Sequence, residues 1–375
     1  MKSDQELSQL QVEIDKLSTA VDKLLESSSC PVQHSAQPGR CPVEHCAVSR
    51  CAASPVPSHV ASPIVSPTMP FVPDYAIPLL APGGGNNNPA ELAALGPLAG
   101  LIGTWVSGRT GYNVMPLPQA TAPNGFILKN LAYYEVMTFS AIQGKVTNRG
   151  GVEEQESYTL FYEQRVFFAD GPQANTLVHA ENGAWLLMAT AQQGQGPLDG
   201  TPYIPSPPAP SPIPPQNPAQ QIVKQVSVPH GNSILALGDY NEFAGAPDIP
   251  EVNTLPVDAP PAFDGPYGTN IPSNPNINPN VVLQEALNAL AGEGLSVVST
   301  IEFNVDSDNS GGVHNIPFEM AHANVPRYAS RVWLETLSNG QSMLQYSQNI
   351  SLNIPLSAGT FLFPHITANT LTKVV

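Results

Sequence analysis

Two hydrophobic periods divide this chain. Between residues 4 and 26, Leu7, Leu10, Ile14, Leu17, Val21 and Leu24 recur at alternating steps of three and four, the a/d seam of a heptad repeat. Asp and Lys fill the outer positions. So narrow a stripe suits a partner helix better than the broad face of a helix docked on its own domain, and a helix this short is marginal alone. The spacing predicts a coiled-coil helix over 4–26 that joins chains into a homo-oligomer.

From about residue 91 onward the period changes to two. Tyr158, Leu160, Tyr162, Gln164 and Val166 alternate with Thr159, Phe161, Glu163, Arg165 and Phe167, as expected for a strand with two different faces. Similar runs cover 131–142, 177–189, 222–228, 233–242, 295–305, 329–337 and 342–354, with a closing run around His365. Asn182-Gly183, inside 177–189, is a hairpin-type dipeptide. Many strands at short spacing make a mainly β, antiparallel sandwich or barrel over 91–375. A short helix is expected over 90–95 and another over 282–290, after Asn280.

Composition separates these periodic regions. The chain has 41 Pro and 29 Gly, concentrated in a few stretches. Residues 27–90 are rich in Ser, Pro and Ala and bury too little apolar surface to fold, so a disordered linker is expected. Residues 194–220 and 244–281 read as Pro-rich insertions lying as decorations over the barrel mouth. All four cysteines, Cys30, Cys41, Cys46 and Cys51, fall in the linker. Cys30-Pro31-Val32-Gln33-His34 and Cys41-Pro42-Val43-Glu44-His45 nearly repeat one another. Reduced thiols in a linker, zinc ligation and reversible heme ligation through a thiolate all remain open readings.

The net charge of −16 argues against nucleic acid, which needs clustered Lys and Arg, and against an anionic membrane surface. No run of about 18 apolar residues occurs, and the first residues lack the apolar core of a secretory leader. These features give a cytoplasmic protein as the default.

Candidate chemistry is sparse. No nucleophile–base pair, phosphate loop or paired-carboxylate motif stands out. Asp306-Ser307-Asp308-Asn309-Ser310-Gly311-Gly312 lacks the closing acid of a calcium loop and reads as a polar turn. His179, His230, His314 and His322 read as satisfied polar groups. Tyr133, Tyr134, Phe139, Phe161, Phe167, Trp185, Trp333 and Tyr346 are candidate wall material for a barrel interior that can enclose one flat or elongated apolar ligand. His365 lies on the final strand, where a single imidazole can ligate a heme iron.

Five segments, in order, resemble the nitrobindins, heme-binding β-barrels related to fatty-acid-binding proteins. Gly103-Thr104-Trp105 is similar to their Gly-x-Trp first strand, although Ser107 and Arg109 stand where that pattern continues with glycines. Tyr134-Glu135-Val136-Met137-Thr138-Phe139-Ser140, Leu160-Phe161-Tyr162-Glu163-Gln164-Arg165, 177–185 and His365-Ile366-Thr367-Ala368-Asn369-Thr370-Leu371 resemble later segments. The resemblance covers 96–188 and roughly 330–375. It implies an up-and-down, calycin-like barrel, heme b with His365 as the proximal iron ligand, and Thr138 near the heme. It further implies nitric oxide binding and isomerisation of peroxynitrite to nitrate. A non-enzymatic carrier of a fatty acid or similar apolar ligand, and a scaffold in which the coiled coil matters most, are the other expectations.

Overall fold

The computed structural model describes residues 89–142, 144–148, 153–189, 192–193 and 221–374. The heptad segment, the cysteine-bearing linker up to residue 88 and the insertion at 194–220 lie outside the described residues. A short helix α1 (Pro89–Ala94) leads into a 3-10 helix (Gly96–Leu101). Fourteen strands follow: β1 (Gly103–Val106), β2 (Gly111–Pro118), β3 (Phe126–Ala141), β4 (Val146–Thr147), β5 (Glu153–Glu154), β6 (Glu156–Phe168), β7 (Leu177–Met188), β8 (Gln192–Gln193), β9 (Ile222–Val228), β10 (Asn232–Ala244), β11 (Val297–Asn315), β12 (Asn324–Leu337), β13 (Ser342–Leu356) and β14 (Gly359–Lys373). Helix α2 (Val281–Gly292) precedes β11, and α3 (Pro317–His322) precedes β12.

Ten of these strands close into an antiparallel, up-and-down barrel in the order β3-β2-β14-β13-β12-β11-β10-β9-β7-β6, with β6 returning to β3. Each strand pairs with its neighbour along the chain, and the first meets the last between β2 and β14. Closure leaves the ten staves without a free edge. β1 extends the β2 stave: it pairs with β3 through Gly103–Val106 and with β14 at Trp105 and Val106, while β2 pairs with the same two strands further along.

The two-residue period places side chains inside or outside. On β3, Tyr133, Glu135, Met137 and Phe139 point inward. On β6, Leu160, Tyr162, Gln164 and Val166 do so, because each aligned pair shares a face. One end of the barrel is solid. The 3-10 helix drives Leu98 and Leu101 into it, both fully buried, against Trp105, Phe139, Leu160, Trp185 and Phe303. The Trp105 indole N–H donates to the Leu101 carbonyl at 2.7 Å, pinning this plug to β1. Each such side chain contributes about 1.5–3 kcal/mol of transfer free energy.

Several expected aromatic wall residues lie elsewhere. Tyr134 and Phe167 stack at 5.2 Å in an outer cluster with Val106 and Val136. Trp333 is buried beside Leu283 of α2 and donates to Glu302 at 2.7 Å. Phe161 is exposed. Alternation alone could not assign the inner face where both faces of a strand are apolar.

Three further expectations change. Asn182-Gly183 is no turn, since β7 runs straight through it. A Cβ on Gly183 would meet the Gln225 carbonyl oxygen at 1.9 Å, so glycine there permits close approach of β9 rather than a chain reversal. The polar run from Asp306 lies within β11, with a register shift between Ala236 and Leu237 on β10 and positive φ at Gly311 and Gly312. Residues 244–281 contain a 3-10 helix (Pro261–Tyr267) whose Phe263 and Tyr267 are buried in a second apolar cluster with Val114, Phe126, Ile354 and Phe363. They are a packed element and do not line the cavity described below. The helix after Asn280 forms as expected, but the Asn280 side chain donates to the Pro250 carbonyl instead of capping it. Among the described residues, no helix is long and apolar enough to cross a membrane.

Candidate functional site

The other end of the barrel is hollow. A cavity of ≈ 370 Å³ opens there, walled largely by apolar side chains such as Met115, Leu131, Val166, Ile234, Ile350 and Leu352. Helix α3 borders it through Phe318, Glu319 and His322. The volume is in the range of small-molecule sites.

His365 stands in this wall. Its Nδ1 lies 2.9 Å from the carbonyl oxygen of Val114 on β2. A carbonyl only accepts, so Nδ1 carries the proton and Nε2 keeps its lone pair. No protein group among the described residues hydrogen-bonds to that Nε2. Burial pushes the imidazolium pKa down to about 4, helped by the nearby His179 and His230 and opposed by the Val114 carbonyl. The ring is therefore neutral at physiological pH.

His365 has company. His179, His230 and His322 line the same cavity. The His179 and His230 rings are 5.5 Å apart, and burial, then the charge of His179, lower the His230 pKa. His322 stacks on Phe318 at 4.2 Å and gives its Nδ1 proton to the Phe318 carbonyl. Sequence reasoning left these three histidines as unrelated polar groups. The signal was faint: His179 shares the inward parity of Glu181 and the register of Val166, but only the barrel brings β7, β9–β10, α3 and β14 to one end.

Thr138, expected beside the ligand, lies on the opposite face of β3 from Met137 and Phe139. Its hydroxyl sits 3.4 Å from that of Thr104 on β1, and it does not line the cavity.

Between the solid and hollow ends runs a polar layer that the sequence reading passed over. Glu135 is fully buried. Its Oε2 accepts from Tyr346 Oη at 2.7 Å and from Gln164 Nε2 at 2.9 Å. Tyr133 Oη lies 2.8 Å from Tyr346 Oη. Burial raises the Glu135 carboxyl to about 7, against the pull of Gln164 and Tyr346 and with a push from Glu181. Asn369 also lowers it, although neither Glu135 Oε1 nor Asn369 Nδ2 makes a hydrogen bond to a described residue.

Glu181 has the opposite fate. Burial works to raise its pKa, but the ammonium of Lys224, with His179 and Tyr162, holds it at about 2. Lys224 Nζ lies 3.4 Å from Glu181 Oε1, 2.5 Å from Tyr328 Oη and 3.4 Å from Gln348 Oε1. It is ringed by Tyr162, Trp185 and Tyr328 at 5.1–5.3 Å from their centres, so the cation is satisfied where burial would otherwise expel its charge. Tyr133, Gln164, Tyr346 and Gln348 face the cavity as its floor.

Among the described residues, no group of three or more His, Cys, Asp or Glu side chains is placed to hold a metal ion. Four imidazoles border the cavity, and His365 is the one held by a strand carbonyl at Nδ1 with its Nε2 left unbonded among the described residues. That suits a metal bringing its remaining ligands in its own macrocycle better than a bare ion.

No family model matches this sequence, and no curated protein matches it significantly.

Proposed function

We propose that this protein binds heme b in the hollow end of its barrel, with His365 Nε2 as the single protein ligand to ferric iron. The observation that carries this reading is the tautomer of His365. A backbone carbonyl holds Nδ1–H, burial keeps the ring neutral, and Nε2 is left without a protein partner. A ligating histidine needs its other ring nitrogen held by a hydrogen-bond acceptor in this way. The apolar walls would suit the porphyrin faces, and Lys129, whose Nζ lies 4.7 Å from the centre of the Phe168 ring on the cavity wall, would offer a positive charge to a propionate. When bound, heme would supply an open iron position able to take nitric oxide or peroxynitrite, with isomerisation to nitrate as the proposed activity. The resemblance of five segments to nitrobindins adds to the reading. The heptad at 4–26 supports a further one, that chains associate through that segment.

Titrating hemin into the full chain tests the proposal. A Soret band saturating at one heme per chain is expected, lost or strongly shifted in His365→Ala and unaltered in Thr138→Ala. An unchanged spectrum in His365→Ala removes the assignment. Failure to take up hemin, together with uptake of an apolar fluorophore that oleate displaces, favours the carrier reading instead.

A further inference from the structure

The cavity floor ends in a hydrogen-bonded chain whose direction can be worked out. Gln164 Nε2 can only donate, and it does so to both Glu135 Oε2 and, at 3.2 Å, Tyr346 Oη. The Tyr346 proton is therefore directed either at Glu135 or at Tyr133. With Glu135 ionised, the carboxylate only accepts. Tyr346 then donates to Glu135 and Tyr133 donates to Tyr346, leaving Tyr133 Oη as an acceptor at the cavity. With Glu135 protonated, the Glu135–Tyr346 and Tyr346–Tyr133 links reverse while Gln164 donates as before. Glu135 donates to Tyr346, Tyr346 donates to Tyr133, and Tyr133 presents its O–H, whose alternative acceptor is the Ala368 carbonyl at 3.3 Å. The floor is thus an acceptor in one state and a donor in the other. Beside it, Gln348 turns Oε1 to Lys224 and Tyr328, both donors to it, which leaves its amide N–H groups for the cavity.

We propose that the cavity accepts an apolar molecule carrying a single acidic hydroxyl, of the phenol class, and that Tyr133 and Tyr346 pass the proton of that hydroxyl to Glu135. The ligand O–H bond breaks and its proton joins Tyr133 Oη. The former Tyr133 proton moves to Tyr346, and the former Tyr346 proton to Glu135 Oε2. No electrons change hands. The ligand oxyanion is left facing the Tyr133 O–H that the reversal creates.

Glu135 is poised for this by its surroundings. Among the described residues, the groups facing it are Gln164 on β6, Tyr346 on β13, Asn369 on β14 and Tyr133 on its own strand, all uncharged, and the charge acting on it is that of Glu181. Glu181 itself is locked by Lys224 and cannot serve. Neighbouring carboxyls with widely separated proton affinities mark assigned acid–base roles. The inference does not depend on iron at His365, and its failure would leave the heme reading untouched.

The test uses the full chain without added hemin and 4-nitrophenol, whose phenol and phenolate forms differ in absorbance. It is run about one pH unit above the titration of Glu135, where the free dye is largely phenolate. Bound dye should absorb as phenolate, with uptake of one proton per dye and an infrared band of a protonated carboxyl. Glu135→Gln should still bind the dye as phenolate but lose the proton uptake and the band. Tyr346→Phe should keep dye binding and lose the band, and Tyr133→Phe, which removes the hydroxyl that meets the ligand oxygen, should weaken dye binding and lose the band. The proposal is overturned if the wild-type chain does not bind the dye, if bound dye absorbs as the neutral phenol, or if proton uptake persists in Glu135→Gln.

Discussion

The solid and hollow ends of the barrel are built by the same staves, yet they differ in everything but backbone. β3 carries Phe139 and Met137 at the solid end, Glu135 in the middle and Tyr133 and Leu131 at the hollow end. β13 likewise carries Leu344, then Tyr346 and Gln348, then Ile350 and Leu352. The solid end is filled because a 3-10 plug brings its own leucines into it. At the hollow end helix α3 borders the space but, among the described residues, nothing fills it, so walls of similar polarity enclose a cavity. Whether apolar staves make a core or a cavity is decided by what enters the barrel, not by the staves themselves.

The contrast can be broken from the solid end with the largest effect. Trp105→Ala should cost about 3–5 kcal/mol in denaturant unfolding, because it deletes a fully buried ring and its bond to the plug. Ile350→Ala, on the hollow wall, borders existing space and should cost clearly less, about 1 kcal/mol. Equal losses would show that the hollow end is packed in solution.

In the middle layer, Lys224→Met should destabilise by about 3–5 kcal/mol, since it strands the buried Glu181 carboxylate. In Lys224→Met/Glu181→Gln much of that loss should return, measured in the same unfolding experiment.

Glu135 provides the next smaller effect, with a defined sign. Its carboxyl is raised from 4.5 to about 7 in the folded chain, so the folded state holds the proton more tightly than the unfolded state. Stability from this group is present at low pH and is lost as pH rises through roughly 4.5 to 7, by up to about 3 kcal/mol. Glu335, with both oxygens buried and unpartnered and its carboxyl pushed to about 9 by burial, adds a slope of the same sign that extends higher. His365, lowered to about 4, gives the opposite slope, with stability rising between about 4 and 6.5. Subtracting the Glu135→Gln stability curve from the wild-type curve isolates the first contribution, which should flatten above about pH 7. A flat difference throughout would mean that Glu135 is not desolvated.

The smallest expected change is in His365→Ala. It should alter unfolding free energy by about 1 kcal/mol, because the ring borders the cavity and its removal leaves one backbone hydrogen bond, to Val114, unmade. A loss several times larger would make His365 a structural residue and weaken its assignment as a ligand.

Much of this fold was legible in the chain. The alternation in 158–168 marks β6 as a two-faced strand without saying which face is inner, since Phe161 and Phe167 lie outside; the closely spaced runs left sandwich or barrel open, and the up-and-down order was implied by the family resemblance. The wall aromatics were half legible: Tyr133, Phe139, Trp185 and Tyr346 are inside, but Tyr134, Phe167 and Trp333 satisfy the same apolar pattern by packing on the outer surface. His365 could be singled out as a lone imidazole on the closing strand. Its partnership with Val114 could not, because β2 and β14 are 251 residues apart at that contact.

The sequence by itself determined the period, and with it the strands, their two faces and a mainly β chain, because alternation is a local property that steric and solvation forces read residue by residue. Closure of the tenth stave, the plug at one end, the cavity at the other, the meeting of four histidines and the opposite proton affinities of Glu135 and Glu181 were decided only by the tertiary structure. Each depends on which distant residue stands a few ångströms away and on how much water is excluded between them.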